Sequence, residues 1–393
     1  MADMEISLVS CWYKEKSCGN FAYNLSRALD KLGVKVSILS ANCLCHRDDP
    51  FNPELFFSPC QKIKFADFYW KPFSNTANYF RIVPQLAGDA VKGRRYVNRN
   101  NVPLLNYQQT QGSFGFLPLL SFLSFPTEAK RVVTIHEIDS IQKQFKLKNI
   151  KLRTAGLNKI YNKADAVIVQ NSAMKASMEK LGVHSEKIHI IPHGTYIPYL
   201  NSYDRDQIIF CGGHKIAKGK GFDIFLQALS ILKSQGVVPK VVIYGLNLQY
   251  GQEEGKALVS KSGVGEQVKW FNYNFDEGPL FEEFQKSMLM VTPYTSSEAG
   301  AQVTAAMANA VPVIATRNVG LPEYLGEAGV YIRKNGPEDL AQKMKQLMNN
   351  ADLRVTLGSE LRKRALEQYS WDVIARKTFG LFKEIIGGDY AND

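Results

Sequence analysis

Short apolar runs of strand length alternate with segments of helical period along almost the whole of this 393-residue chain. No other feature restricts the fold as strongly, because strands separated by helices pair in parallel, with the helices covering both faces of the sheet. Ile6-Ser7-Leu8-Val9-Ser10 reads as a first strand. Apolar Phe21, Leu25, Ala28, Leu29 and Leu32 then mark one helix face, Gly33 ends the helix, and Val34 to Leu39 reads as a second strand. Further strands are expected over Val102–Tyr107, Arg131–Ile135, Ala166–Val169 and Ile188–Ile191. Helices are expected over Phe116–Phe125, Arg153–Asn162 and Ser172–Leu181.

Pro192-His193-Gly194 breaks the alternation, and the polar stretch as far as Arg205 and Asp206 reads as a linker. A second series starts at Ile208-Ile209-Phe210-Cys211. It continues with strands at Lys240–Tyr244, Met288–Val291 and Val311–Ala315. Its helices are expected at Asp223–Lys233, Gln302–Ala308, Pro337–Met348 and Asp372–Ile386. The fold class is α/β, with two doubly wound Rossmann-like domains, a size that suits 393 residues. The domains are expected over 1–200 and 201–371, with a closing helix over 372–393.

Charge is unevenly spread. Of 48 Lys+Arg and 37 Asp+Glu, residues 1–200 hold 26 and 15, a net of +11, which leaves 22 and 22 in the remainder. A basic half fits an anionic partner such as a phosphate-bearing acceptor or an anionic membrane surface. Lys92-Gly93-Arg94-Arg95 and the stretch Lys143 to Arg153 carry no nucleic-acid motif, so no nucleic acid is expected. The acidic Met1 to Glu5 leads straight into a strand, which predicts no signal peptide, and no apolar run is long enough for a transmembrane helix. The chain is therefore expected to be cytoplasmic, with a peripheral contact at the inner membrane face. Phe114 to Phe125, interrupted by Pro118, reads as core in preference to an interfacial helix. The six cysteines read as reduced thiols, and Cys43-Leu44-Cys45-His46 with Cys60 has no zinc spacing. No metal is expected.

Three segments could carry chemistry, all at the carboxyl ends of strands. The loop Tyr13 to Asn20 places Gly19 at the opening of a helix, where backbone can approach a ligand. After Val132-Val133-Thr134-Ile135 come His136, Glu137 and Asp139, and His136 could bond a hydroxyl while either acid orients it. In the second series, Gly212 to Asp223 supplies four glycines and three lysines between a strand and a helix, a loop suited to a diphosphate. It lacks the spacing of a triphosphatase loop. Thr292 to Tyr324 includes Ser296-Ser297-Glu298-Ala299-Gly300-Ala301-Gln302, a small-residue helix start beside a carboxylate.

Val311-Pro312-Val313-Ile314-Ala315-Thr316 followed by Gly320-Leu321-Pro322-Glu323 resembles a segment of family-four retaining glycosyltransferases of GT-B fold. Lys220-Gly221-Phe222-Asp223, Ile191-Pro192-His193-Gly194, Ile135-His136-Glu137 and Tyr369-Ser370-Trp371-Asp372 resemble that family in the same order. The resemblance implies two domains facing across a cleft, the first holding the acceptor and the second the nucleotide-sugar. It implies a final helix returning to the first domain, and retention of configuration. It implies donor contacts at Gly19, Lys215, Lys220, Gly300, Ala301, Gln302 and Val303, with catalytic roles for His136 and Glu298. Lys215, or His214 with a loop one residue longer, stands where the family has an arginine, and Lys220 is expected to be exposed. The family's second glutamate would fall at Ala305 or Ala306, so this helix is closer to a small-residue version of the motif. No cofactor is expected beyond the UDP- or GDP-sugar substrate, and the acceptor is expected to be a glycan or lipid-linked, as in polysaccharide or glycolipid assembly. Alternatives are an inverting transferase, a sugar-nucleotide epimerase and a non-catalytic nucleotide-sugar or glycan-binding homologue.

Overall fold

The structure is a computed structural model. It describes residues 5–10, 17–40, 95, 97–109, 127–136, 138, 158–201, 203–216, 219–246, 251–271, 277–295, 300–317, 320–333 and 336–387. The contacts divide the chain into two units, Met1–Pro192 with Ile374–Asp393, and His193–Val373.

The first unit contains strands β1 (Glu5–Ser10), β2 (Lys35–Ser40), β3 (Leu104–Gln109), β4 (Lys130–Ile135), β5 (Ala166–Val169) and β6 (Ile188–Ile190). They form one sheet in the order β2-β1-β3-β4-β5-β6, with every pairing parallel. Helix α1 (Ser17–Asp30) joins β1 to β2, and α2 (Ser172–Lys180) joins β5 to β6. Asn171 caps α2 by accepting from Met174 N at 2.9 Å, and the short extended strands on either side are β-branched and apolar. Val133, Ile135, Val167 and Val169 pack with Met174 and Met178 into one core. The expected helix over Arg153–Asn162 is described only from residue 158, and the expected helix Phe116–Phe125 lies outside the described residues.

The second unit contains β7 (Gln207–Lys215), β8 (Lys240–Leu246), β9 (Val268–Phe271), β10 (Ser287–Thr292), β11 (Val313–Thr316) and β12 (Val330–Ile332). Its sheet order is β12-β11-β10-β7-β8-β9, again all parallel. The chain winds outward from β7 on one side and from β10 on the other, so the topological switch lies between these two strands. The helices are α3 (Phe222–Ser234), α4 (Gly251–Lys261), α5 (Glu277–Gln285), α6 (Ala301–Ala308), α7 (Leu321–Leu325), α8 (Pro337–Met348) and α9 (Ala351–Arg364), while α10 (Trp371–Ile386) starts here and from Ile374 belongs to the first unit. Among them, α4, α5, α7 and α9 were not marked by the sequence pattern. Helix α9 shows why: along Ala-Asp-Leu-Arg-Val-Thr-Leu-Gly it leaves Val355 exposed and buries Gly358, against the apolar rule.

The stretch expected as a linker is fastened along the second unit. Thr195 N donates to Tyr369 O at 2.8 Å and Trp371 N to Thr195 O at 3.1 Å. Asn201 N donates to Gln285 Oε1 at 3.0 Å, and Asp206 pairs with Lys240. A turn of π-helix, Ala365–Tyr369, carries the chain from α9 to this bridge. No helix among the described residues is long and apolar enough to cross a membrane.

Candidate functional site

In the second unit the residues that follow β7 and β10 meet at the switch. Gly219 O accepts from Thr295 N at 2.8 Å, tying the glycine-rich turn to the loop after β10. Gly221 follows in the left-handed region, φ +65°, and N-caps α3. A methyl group there would lie 2.8 Å from the Pro293 carbonyl carbon and closer still to its oxygen. Only glycine allows the two loops this approach.

Between them stands Lys220. A lysine in this loop is expected to be exposed, but Lys220 is only 9% exposed. Its ammonium lies 4.3 Å from the centroid of the Tyr294 ring. The apolar stem is packed and the charge rests on the negative face of the aromatic ring, which suits a cation removed from water. Tyr294 itself is anchored at both ends: its hydroxyl donates to Cys211 O at 2.7 Å and its carbonyl accepts from Thr316 Oγ1. Burial pushes the Tyr294 phenol well above its usual range, so the ring stays neutral. Tyr294 had no mark in the sequence beyond its place two residues after a strand.

Helix α6 begins one loop further on. Gly300 is its N-cap and offers no side-chain cap, and the first turn contains no acid. Thr304 N and Oγ1 both bond back to Gly300 O, at 2.9 and 3.1 Å. By helix geometry the N–H groups of Ala301, Gln302 and Val303 have no acceptor within the helix, which leaves the positive end of the helix dipole at the switch. At the other end two arginines cover the carbonyls. Arg205 donates to Asn309 O and Ala310 O, both at 2.9 Å. Arg362 donates to Ala308 O, and to Pro198 O at 2.8 Å. Cations there complement the negative end of the dipole and hold α6 in place.

His193, which the sequence singled out only as part of a motif, packs against this helix start. A methyl group on Gly300 would meet the Tyr324 hydroxyl at 2.7 Å and His193 Cβ at 3.2 Å. His193 Nδ1 donates to Gly194 O at 2.7 Å, and the ring lies edge-on to Trp371 at 5.5 Å.

Lys215 closes β7. Gly19, expected at the opening of a helix, is the third residue of α1, which starts at Ser17, four residues ahead of Phe21. Glu298 lies outside the described residues, as do Glu137, Asp139, Cys43, Cys45, His46 and Cys60. His136 stands just past β4, half-buried, with both ring nitrogens engaged. Its partners are Gln108 at 2.9 Å and Gln170 at 3.0 Å, which the sequence did not single out.

Comparison with known proteins places both units. Residues 18–196 match the model described as Glycosyltransferase Family 4, and residues 205–350 the model described as Glycosyl transferases group 1. The chain carries the two glycosyltransferase domains that these models describe, and its fold is that of the GT-B glycosyltransferases. It is 26% identical over 316 residues to an uncharacterised glycosyltransferase of Methanocaldococcus jannaschii, covering 78% of this chain and 82% of that one. The fold is similar to a sucrose-phosphate synthase from Thermosynechococcus elongatus, with a TM-score of 0.73, 18% identity and coverage of 98% and 99% of the two chains. It is also similar to an Anabaena protein crystallised with UDP-glucose, with a TM-score of 0.69, 14% identity and coverage of 97% and 100%.

Proposed function

We propose that this glycosyltransferase moves a hexosyl group from a nucleoside-diphosphate sugar, a UDP- or GDP-sugar, to a glycan or lipid-linked acceptor with retention of configuration. The observation that carries this reading is that Lys220 and the N-terminus of α6 follow β7 and β10, the two strands that flank the sheet switch. A diphosphate is the ligand that an ammonium and the N–H groups of a helix N-terminus suit best. Lys215, at the end of β7, joins them in this reading.

The chemistry follows from where charge develops. As the bond from the anomeric carbon to the diphosphate oxygen breaks, the leaving group gains negative charge and the sugar gains oxocarbenium character. Lys220, Lys215 and the N–H groups of Ala301, Gln302 and Val303 stabilise that charge without having to reorganise. The acceptor oxygen bonds to the anomeric carbon on the face the diphosphate leaves, and its proton passes to a diphosphate oxygen. Gly19 lets backbone approach the donor, while His136 and Glu298 steer sugar hydroxyls. His136→Ala is expected to lower turnover by about tenfold or more while donor affinity changes less, since a steering contact acts mostly in the transition state. An unchanged turnover number would remove His136 from the mechanism.

The excess positive charge of residues 1–200 leads us to place the acceptor on a lipid phosphate, with the enzyme in the cytoplasm and peripheral at the inner membrane face, in polysaccharide or glycolipid assembly. A thermal-shift series with free UDP, GDP and ADP tests the donor class. Uridine or guanosine diphosphate well above its Kd is expected to raise the unfolding midpoint by a few degrees, about 2–3 kcal/mol of linkage. No shift with any of the three would overturn the reading. Ala305 and Ala306, both buried, stand where the family's second glutamate is expected, and this favours one rival, a non-catalytic binder. A shift without sugar release across donors and acceptors would select it.

A further inference from the structure

Strand β3 is paired on both sides, by β1 and β4, yet it carries two amides in its interior. Asn106 and Gln108 are both 0% exposed. A central parallel strand is ordinarily apolar, and a buried amide is costly unless it is hydrogen-bonded. The bonds they make form one chain, although Asn106 Nδ2 is buried without a hydrogen-bond partner. Thr134 Oγ1 donates to Asn106 Oδ1 at 3.0 Å, and Gln108 Nε2 donates to the same oxygen at 2.6 Å. Gln108 Oε1 faces His136 Nε2 at 2.9 Å, and Gln170 Nε2 faces His136 Nδ1 at 3.0 Å. Phe21 packs edge-on against the imidazole at 4.7 Å.

An amide oxygen only accepts and an amide nitrogen only donates, so among the three amides each orientation sets the next, whereas the Thr134 hydroxyl can donate or accept. Gln108 turns its oxygen to the ring because its nitrogen is committed to Asn106. With that oxygen on Nε2 and an amide N–H on Nδ1, the imidazole carries its proton on Nε2. Moving the proton to Nδ1 would require the amides of Gln170, Gln108 and Asn106 to turn over together inside a packed sheet. The tautomer is thus held cooperatively.

We infer that Gln108 and Gln170 are positioning residues that hold His136 as the Nε2–H tautomer, so that it presents a hydrogen-bond donor to a sugar oxygen and does not act as a base. This rests on the proposed role of His136. In that role the Nε2–H is shared between Gln108 Oε1 and an arriving hydroxyl oxygen. A ligand group that can only donate is disfavoured.

The test is nitrogen NMR of the full chain carrying ring-labelled histidine, with His136 assigned by its loss in His136→Ala and the buffer alkaline enough to keep imidazoles neutral. The expected spectrum has the His136 proton on Nε2. Gln170→Glu places an acceptor against Nδ1 and is expected to protonate that nitrogen. Sugar release from UDP-glucose or GDP-mannose, whichever is turned over, should then fall about tenfold, with KM changed less than about threefold and the unfolding midpoint nearly kept. A residue that served only packing would leave the proton in place and reduce activity only in step with stability. Wild-type protein with the proton on Nδ1, or with the two tautomers mixed, overturns the inference. So does Gln170→Glu with the proton moved from Nε2 to Nδ1 and turnover intact. If His136→Ala alone leaves turnover intact, the sugar-steering role fails, while the tautomer lock is still decided by the wild-type spectrum.

Discussion

Replacing Lys220 with methionine is expected to weaken binding of the nucleoside diphosphate by at least tenfold and to remove most sugar transfer. Removing a charge-assisted contact from a site shielded from water costs about 2–4 kcal/mol, and a contact that strengthens as the leaving group charges adds to that in turnover. Methionine is the informative replacement because Lys220 is buried. Alanine would empty the space above Tyr294 and mix a packing loss with the loss of charge, whereas methionine keeps most of the stem. Forfeiting the cation–π contact with Tyr294 accounts for only about 0.5–2 kcal/mol of stability. Calorimetric titration with UDP or GDP alongside a melting curve separates the two effects. Equal affinities in wild type and variant would end the assignment of this turn to the diphosphate.

The second large effect falls on the neighbouring glycine. Gly221→Ala is expected to destabilise the second unit by about 3 kcal/mol or more. A non-glycine residue in the left-handed region costs about 1 kcal/mol. The rest arises because the new methyl group would overlap the Pro293 carbonyl, which is backbone and cannot rotate away. Gly236 supplies the control. Its φ is +74°, close to that of Gly221, but nothing lies within 4 Å of a methyl built there. Gly236→Ala should therefore show the conformational cost alone, and the unfolding midpoints of the two variants should differ by about 5 °C. Coinciding midpoints would mean that the loops after β7 and β10 do not make the contact described.

The legible part of this protein was the part in which period and punctuation agree. Every strand marked by an apolar run is present, and Gly33 does end α1. What went unseen follows from the same rule. The strand β3 reads Leu-Leu-Asn-Tyr-Gln-Gln, and buried amides cannot be told from solvent-facing ones until the neighbours that bond them are known. Lys220 was expected at the surface because lysine is almost never buried without compensation. Its compensation, the Tyr294 ring, comes from a segment seventy-four residues later, which no local pattern reports. Ser17 to Asn20 lacks large apolar side chains, so the first turn of α1 left no trace in the hydrophobic period. The family motifs, by contrast, lay in short runs around glycines and prolines, where backbone demands are visible residue by residue.

The grouping of residues 374–393 with the first 192 has a consequence for the order in which the chain can be made. Everything from His193 to Val373 is, topologically, an insertion into the first unit, entered and left at the bridge of Thr195 with Tyr369 and Trp371. During synthesis the inserted unit has its whole sequence outside the ribosome before its host does. The first unit therefore gains its final segment, from Ile374 on, only after the whole of the second has been made.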